Sequence, residues 1–327
     1  MDVKPVITPQ YTPDYSVLLL SLSDHYITAA RRLAPLIAHN RENVDPARYH
    51  QLISAGLRCM ECSLNHPNFL GRPPRQDAIL RLKYASLLFE ETTNYSDIEE
   101  QLSKLLMLCQ RNRFTDLNYS AHHLLVRVLA KTNLRTALKH IDHVISECET
   151  LQYAPWVYAF HFLRVTLLLE LRSARDIHSI LTGLKRVSEL ARQRSDREIS
   201  IVASLTQAAI HLRARKEESV AEAQRALAAA RAQLSNYSTK DLPQLYVLTH
   251  QLDLVSSLDP YDHQQAQAKL KAMQQLMDQE LSGTKWRRDR AYYVRLNTSG
   301  ADNLIAETGG LFNKEEGGGR SRSFKTY

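Results

Sequence analysis

Glycine is scarce in this sequence. Of 327 residues 10 are glycine, and seven of those lie after residue 282. The 282 residues before them hold three, so tight β-turns have few places to form, and the abundance of Leu, Ala, Arg, Gln and Glu there favours helices throughout. Cysteine is scarcer still: four in so long a chain, with no signal-peptide pattern, exclude a disulfide framework and point to a reducing compartment. No apolar stretch approaches the roughly 20 residues of a membrane span; the run Val17 to Leu22 is six residues long. A soluble intracellular protein is the expectation.

Catalytic signatures are missing as well. There is no G-x-x-x-x-G-K and no G-x-S-x-G, and the Gly-rich stretch EEGGGRSRS has the composition of a flexible tail rather than of a phosphate cradle between strand and helix. The carboxylate pairs Glu90–Glu91 and Glu99–Glu100 stand beside basic residues and read as solvated helix faces. Neither an enzyme nor a cofactor nor a small-molecule substrate is expected.

What is present is the composition of a folded protein, 44% hydrophobic against 24% charged, which separates it from disordered chains. The formal charge of +7 is uneven: residues 283–327 carry nine Lys or Arg and five Asp or Glu, so the body before them is nearly neutral. Inside that body, Gly183 to Lys216 holds eight basic residues against three acids. Arg192, Arg194, Arg213 and Arg215 make this a candidate contact patch for nucleic acid or an acidic partner; two solvated helix faces would give the same count.

The stretch LLFEETTNYSDIEEQL (87–102) runs from an apolar helix through a polar break into a second helical pattern, and the unit recurs. Second helices are anchored near Ile98, Ala137, Ile177 and Val220, at intervals of 39, 40 and 43 residues. The helices before them are anchored at Ile79, Tyr119, Tyr158 and Ile201, at 40, 39 and 43. A fixed period of two helices and a short connector predicts an all-α, tetratricopeptide-like helical-repeat solenoid of antiparallel helix pairs. It is bounded by an extended arm (1–14) and an irregular, basic, Gly-rich tail (283–327), with the solenoid over 15–282. Ala137, Ile141, Val144, Ile145 and Cys148 form one stripe on a 3.6-residue period. Tyr153 to Arg172, by contrast, is apolar on more than one side, as a helix needs if it packs on both its partner and the next repeat.

Prolines at 46, 73, 74, 155, 243 and 260 fall near proposed helix starts, and Ser96, Asp116 and Ser195 are placed to cap. Pro35 falls inside a helical pattern and predicts a kink or an early stop. The full tetratricopeptide pattern is met in no copy, although Ala85 occupies its close-approach slot.

Cys59, Cys62 and His66 share one helix face, but no second ligand pair follows at zinc-site spacing, so packing is the expected role and no metal is predicted. His140 with His143, and His122 with His123, are weaker signals. A binding surface remains. Tyr119 and His122 are matched 39 residues later by Tyr158 and His161, both as Y-x-x-H; the earlier copy places Leu82 there. With Phe89, these six are the candidate contacts for an extended partner segment; stacking of the solenoid is the plainer alternative.

The segment GRPPRQDAILRLKYASLLFEETTNYSDIEEQLSKLLMLCQR, with its double proline, its Leu82, Tyr84, Ala85, Leu88 run and its Leu102, Leu106, Cys109 stripe, resembles the early repeats of the tetratricopeptide subunit of the cohesin loader. TKWRRDRAYYVRLNTSGADNLIAETGGLF is similar to the irregular segment that follows the first block of repeats in fungal members. The resemblance covers most of residues 15 to 312. It implies a non-catalytic nuclear subunit that encloses the extended amino-terminal segment of the large HEAT-repeat loader subunit, the adherin, the pair placing cohesin on chromatin. It also implies an amino-terminal portion of a longer chain, family members being considerably longer.

Overall fold

The computed structural model describes residues 15–38, 45–65, 72–171, 174–214, 217–258, 263–280, 292–296, 312–314 and 322–326. Twelve α-helices are described: α1 (Ser16–Ala38), α2 (Pro46–Asn65), α3 (Pro74–Glu91), α4 (Tyr95–Asn112), α5 (Thr115–Thr132), α6 (Leu134–Thr150), α7 (Ala154–Leu171), α8 (Ala174–Arg194), α9 (Arg197–Ala214), α10 (Glu217–Leu234), α11 (Pro243–Leu258) and α12 (His263–Gln275), the last continued by a short π-helical stretch, Leu276–Glu280. The architecture is an all-α helical-repeat solenoid. Its second helices α4, α6, α8 and α10 begin 39, 40 and 43 residues apart, the intervals their sequence anchors give, and the first helices α3, α5, α7 and α9 begin 41, 39 and 43 apart. No described helix is long and apolar enough to cross a membrane.

The chain divides into two compact units, Met1–Val128 and Leu129–Tyr327. In the first, α1 packs on α2, α2 on α3 and α3 on α4. One cluster fills it, running from Ile27 of α1 through Met60, Leu82, Ala85, Ile98 and Leu105 to Leu117 and Leu124 of α5. In the second, each helix from α6 to α12 packs on the next, and α11 also reaches α9. The α6 stripe is buried residue for residue: Ala137, Ile141, Val144, Ile145 and Cys148. Helix α7 is buried over more than one face, from Ala154 through His161 without a break, and α9 likewise from Glu198 to Leu205. A helix with no polar side is stable only where neighbours cover it all round, which is why stacked pairs rather than a lone pair form here.

Three connectors share one backbone device. Arg113, Gln152 and Ser195 adopt the left-handed conformation, with φ of 57°, 57° and 62°, just past the ends of α4, α6 and α8. The following amide donates back five residues: Phe114 to Cys109, Tyr153 to Cys148 and Asp196 to Ala191, at 3.0, 2.9 and 2.9 Å. This is the Schellman geometry, which satisfies helix-end carbonyls and turns the chain sharply into the next pair. The receiving residues are small and buried, Cys109, Cys148 and Ala191, and recur at 39 and 43 residues, as the helices do.

Several sequence expectations about helix ends are corrected. Ser195 is the left-handed residue of a turn rather than an N-cap. Ser96 lies inside α4, its hydroxyl donating to Asn94 Oδ1 at 3.1 Å, and Asn94 holds the cap position. Asp116 lies in the first turn of α5, buried and paired with Arg75. The clearest side-chain cap is one the sequence reading passed over: Asn133 Oδ1 accepts from the amides of Arg135 and Thr136. Prolines open α2, α3 and α11 at Pro46, Pro74 and Pro243, and Pro155 is the second residue of α7, where a missing N–H is harmless; position 260 lies outside the described residues. Pro35 does not stop α1, which runs on to Ala38; it sits in the last turn, so few residues follow the lost bond.

The expectation of an irregular tail falls partly outside the described residues. Within 283–327 three short strands are described, β1 (Tyr292–Leu296), β2 (Phe312–Lys314) and β3 (Arg322–Thr326). They form an antiparallel sheet in the order β1–β3–β2, with Val294 and Phe312 both in register with Phe324. Strand β1 lies against α9 and β3 against α7, and Leu296 is buried. The pairing is between strands well separated in sequence, which local composition does not reveal.

The two glycines described in the helical body mark close approaches. A Cβ on Gly56 would stand 2.9 Å from Ile27 Cγ1, and the Gly56 carbonyl accepts from Ser23 Oγ at 2.8 Å, so α1 side chains lie directly on the α2 backbone. Gly56→Val is therefore expected to destabilise the protein by about 1–3 kcal/mol through overpacking, read as a lower urea midpoint. Ser195→Gly, which relieves the cost of a side chain at positive φ, is expected to raise stability by about 1 kcal/mol in the same measurement.

Candidate partner-binding site

In the first unit the surface begins from a buried ion pair. Arg75 of α3 donates to Asp116 Oδ2 of α5 at 2.5 Å, the Asp116 side chain is 2% exposed, and the same guanidinium lies 5.4 Å from the centre of the Phe114 ring. Successive first helices are thus tied at one end. Toward the other end of the same pair of helices, Phe89 is half-buried against the core cluster and Arg127 stacks its guanidinium over the ring at 4.7 Å. His123, one turn before Arg127, has its pKa pushed down to about 3 by burial and then by that guanidinium, so it is neutral at physiological pH. An aromatic ring under a guanidinium can take the apolar side chains and the carbonyls of an extended segment.

The second unit repeats the tie with different chemistry. The Tyr158 hydroxyl of α7 donates to Asp196 Oδ2 at 2.9 Å, just before α9, and Arg194 lies 3.6 Å from the same carboxylate oxygen. Tyr158 is 1% exposed; burial and then the Asp196 charge raise its pKa, so it remains a donor. One turn along α7, His161 is buried with no hydrogen-bond partner on either ring nitrogen. Its Nδ1 would be 3.3 Å from a Cβ on Gly183 of α8, so Gly183 provides the room for the imidazole. Burial first pushes its pKa down to about 4; the nearby Glu149 and Asp142 charges oppose that shift, while Arg164 and Arg186 add to it.

The six residues singled out from the sequence therefore divide. Leu82, Tyr119, Tyr158 and His161 are core residues, and the Y-x-x-H recurrence serves packing and, at Tyr158, the tie to the next first helix. Phe89 and His122 are half-buried and remain at the surface of the first unit. The residue missed is Arg127: nothing in its spacing announces that it lies over Phe89, because the two meet only when α3 and α5 pack side by side.

The basic surplus of 183–216 is partly consumed. Arg186 pairs with Glu149 at 3.0 Å, Arg192 with Glu189 at 2.8 Å, and Arg194 with the buried Asp196. Arg213 is exposed, and Arg215 lies outside the described residues. Cys59 is half-buried and Cys62 exposed, so the packing role expected of this pair fails for Cys62; His66 lies outside the described residues. Among the described residues no three His, Cys, Asp or Glu side chains stand together as a metal site would require.

Stacked helix pairs joined by buried polar ties between first helices define a helical-repeat protein. The particular family is shown by its sequence model: the chain belongs to the cohesin loading factor family, whose model matches residues 15–318. That membership gives it a role in cohesin loading. No curated protein matches the chain.

The neutral, buried His161 has a consequence for pH. Its folded pKa of about 4 lies below the ordinary value near 6.5, so its contribution is complete above about pH 6.5 and is lost as the pH falls to about 4, an effect on the order of 3 kcal/mol. Melting temperatures of the wild type should drop across that window, and the drop should be shallower in His161→Leu.

Proposed function

We propose that this protein is a non-catalytic subunit of the cohesin-loading machinery, a tetratricopeptide-like scaffold that holds the extended amino-terminal segment of the large HEAT-repeat loader subunit, the adherin, and so supports the placing of cohesin on chromatin in the nucleus. The observation that carries the reading is the family match over residues 15–318 on a chain made of stacked helix pairs. Phe89 with Arg127 supports it as the contact within the first unit: the ring offers apolar area, and the stacked guanidinium offers donors for backbone carbonyls or acidic side chains. This replaces the buried members of the sequence-based contact set. A nucleic-acid surface at 183–216 is the weaker reading, since three of its arginines already hold acids.

Titration with a recombinant adherin amino-terminal segment is expected to give one-to-one binding by calorimetry. It should raise stability by about 2.7 kcal/mol at a hundredfold excess over Kd. Arg127→Glu should weaken that binding about tenfold. Absence of both heat and thermal shift with the wild type would overturn the assignment.

A further inference from the structure

The three-stranded sheet of the second unit stands where an extended chain can be added to it. In the order β1–β3–β2, β3 is paired on both sides, whereas among the described residues β1 pairs only with β3, along its whole length from Tyr292↔Thr326 to Leu296↔Arg322. The other side of β1 is then a five-residue edge, whose backbone N–H and C=O groups point outward at alternate residues, as an incoming strand requires. Strand order follows helix order. Strand β3 lies on α7 and β1 on α9, the next first helix, with Leu296 buried. The first helix after α9 is α11, which adjoins α9 and leaves Val255 and Leu258 exposed. A fourth strand, about 4.8 Å beyond β1, therefore runs on the side of open apolar surface on α11. Charge selects what is added. The strand residues, YYVRL, FNK and RSFKT, include Arg295, Lys314, Arg322 and Lys325, and no acid lies among them.

We propose that the outer edge of β1 is the docking site for an extended acidic segment of a partner protein, which joins the sheet as a fourth strand with its acids beside Arg295 and its apolar residues toward Val255 and Leu258. Backbone pairing gives an affinity open to any extended chain; the strand cations and the apolar ground give the selection. Opposite charges directly across neighbouring strands add to the pairing. A nucleic-acid backbone fits less well, because phosphates have no N–H to offer the edge carbonyls and gain nothing from Val255 and Leu258. The edge goes beyond the loader-segment reading: it names a separate place in the second unit, the backbone chemistry that forms it and the charge of what it takes.

Its test is calorimetric titration of the full chain with a decapeptide of alternating Glu and Val. Two controls accompany it: the Lys and Val counterpart, and the Glu and Val peptide with every amide N-methylated, which keeps the side chains and lacks every backbone donor. The expected result is binding of the first peptide alone, with affinity falling about tenfold on Arg295→Glu and on Val255→Asp. Val255 lies on α11, outside the sheet, so that variant tests the site even where Arg295→Glu disturbs β1 itself. Hydrogen exchange read by mass spectrometry should show the amides of 292–296 slowing when the first peptide is added. Equal binding by either control, no binding by any peptide, or unchanged exchange within 292–296 would overturn the edge. So would a single-stranded oligonucleotide that binds through Arg295 where the peptide does not. The adherin segment, titrated alongside, separates the two readings. If it binds the wild type and the Glu and Val peptide does not, the edge fails and the scaffold reading stands; if the peptide binds and the adherin segment does not, the scaffold reading fails and the edge stands.

Discussion

The structure depends on one constraint: the first helix of each pair carries apolar side chains on more than one face and must be covered on all of them. Helix α7 shows it most fully, with an unbroken buried run from Ala154 to His161. Its own second helix covers one side, and the helix before it covers another. Short connectors follow, because a neighbour must arrive quickly. Left-handed turns follow from the short connectors, at Arg113, Gln152 and Ser195. Small buried residues follow at the helix ends, where the returning amide must reach a carbonyl five residues back. The rarity of glycine is consistent with this: where the two described body glycines occur, at Gly56 and Gly183, each makes room for a side chain of the neighbouring helix.

Polar groups inside such a stack have to be satisfied there, and the same position is solved twice. Asp116 and Asp196 both sit at the start of a first helix, both nearly sealed from water, and each is met by a donor from the preceding first helix, Arg75 in one case and Tyr158 in the other. Removing either donor would take a hydrogen bond from a nearly sealed carboxylate, a larger loss than the same bond would be at the surface. The ties join the helices on which partner contacts are expected, so they fix the spacing of the surface side chains as well as the core. A scaffold that holds an extended chain needs that spacing held before the partner arrives, since ordering it afterwards would subtract from affinity.

The period was legible in the sequence because helix pairing is local and repeats: the anchors at Ile98, Ala137, Ile177 and Val220 reproduce the observed intervals of 39, 40 and 43. The α6 stripe was legible for the same reason. The surface was less so. Tyr and His suit core and interface equally, and only the packed structure shows Tyr158 turned inward to Asp196 while Phe89 stays at the surface under Arg127. The inter-pair turns escaped notice because Arg, Gln and Ser are unusual in a left-handed position; the clue was instead the recurrence of small residues at Cys109, Cys148 and Ala191. The strands after residue 283 escaped too, since their pairing joins distant segments.

The cysteines, read first as a sign of a reducing compartment, end up sorted by depth. Cys109 is sealed in the core with its thiol pushed up to about 12 by burial, Cys148 is buried, Cys59 is half-covered with its pKa raised, and Cys62 stands open on α2. The protein thus carries a natural attachment point: a maleimide fluorophore offered to the folded chain would settle at Cys62, giving the first unit a spectroscopic handle without any engineered substitution.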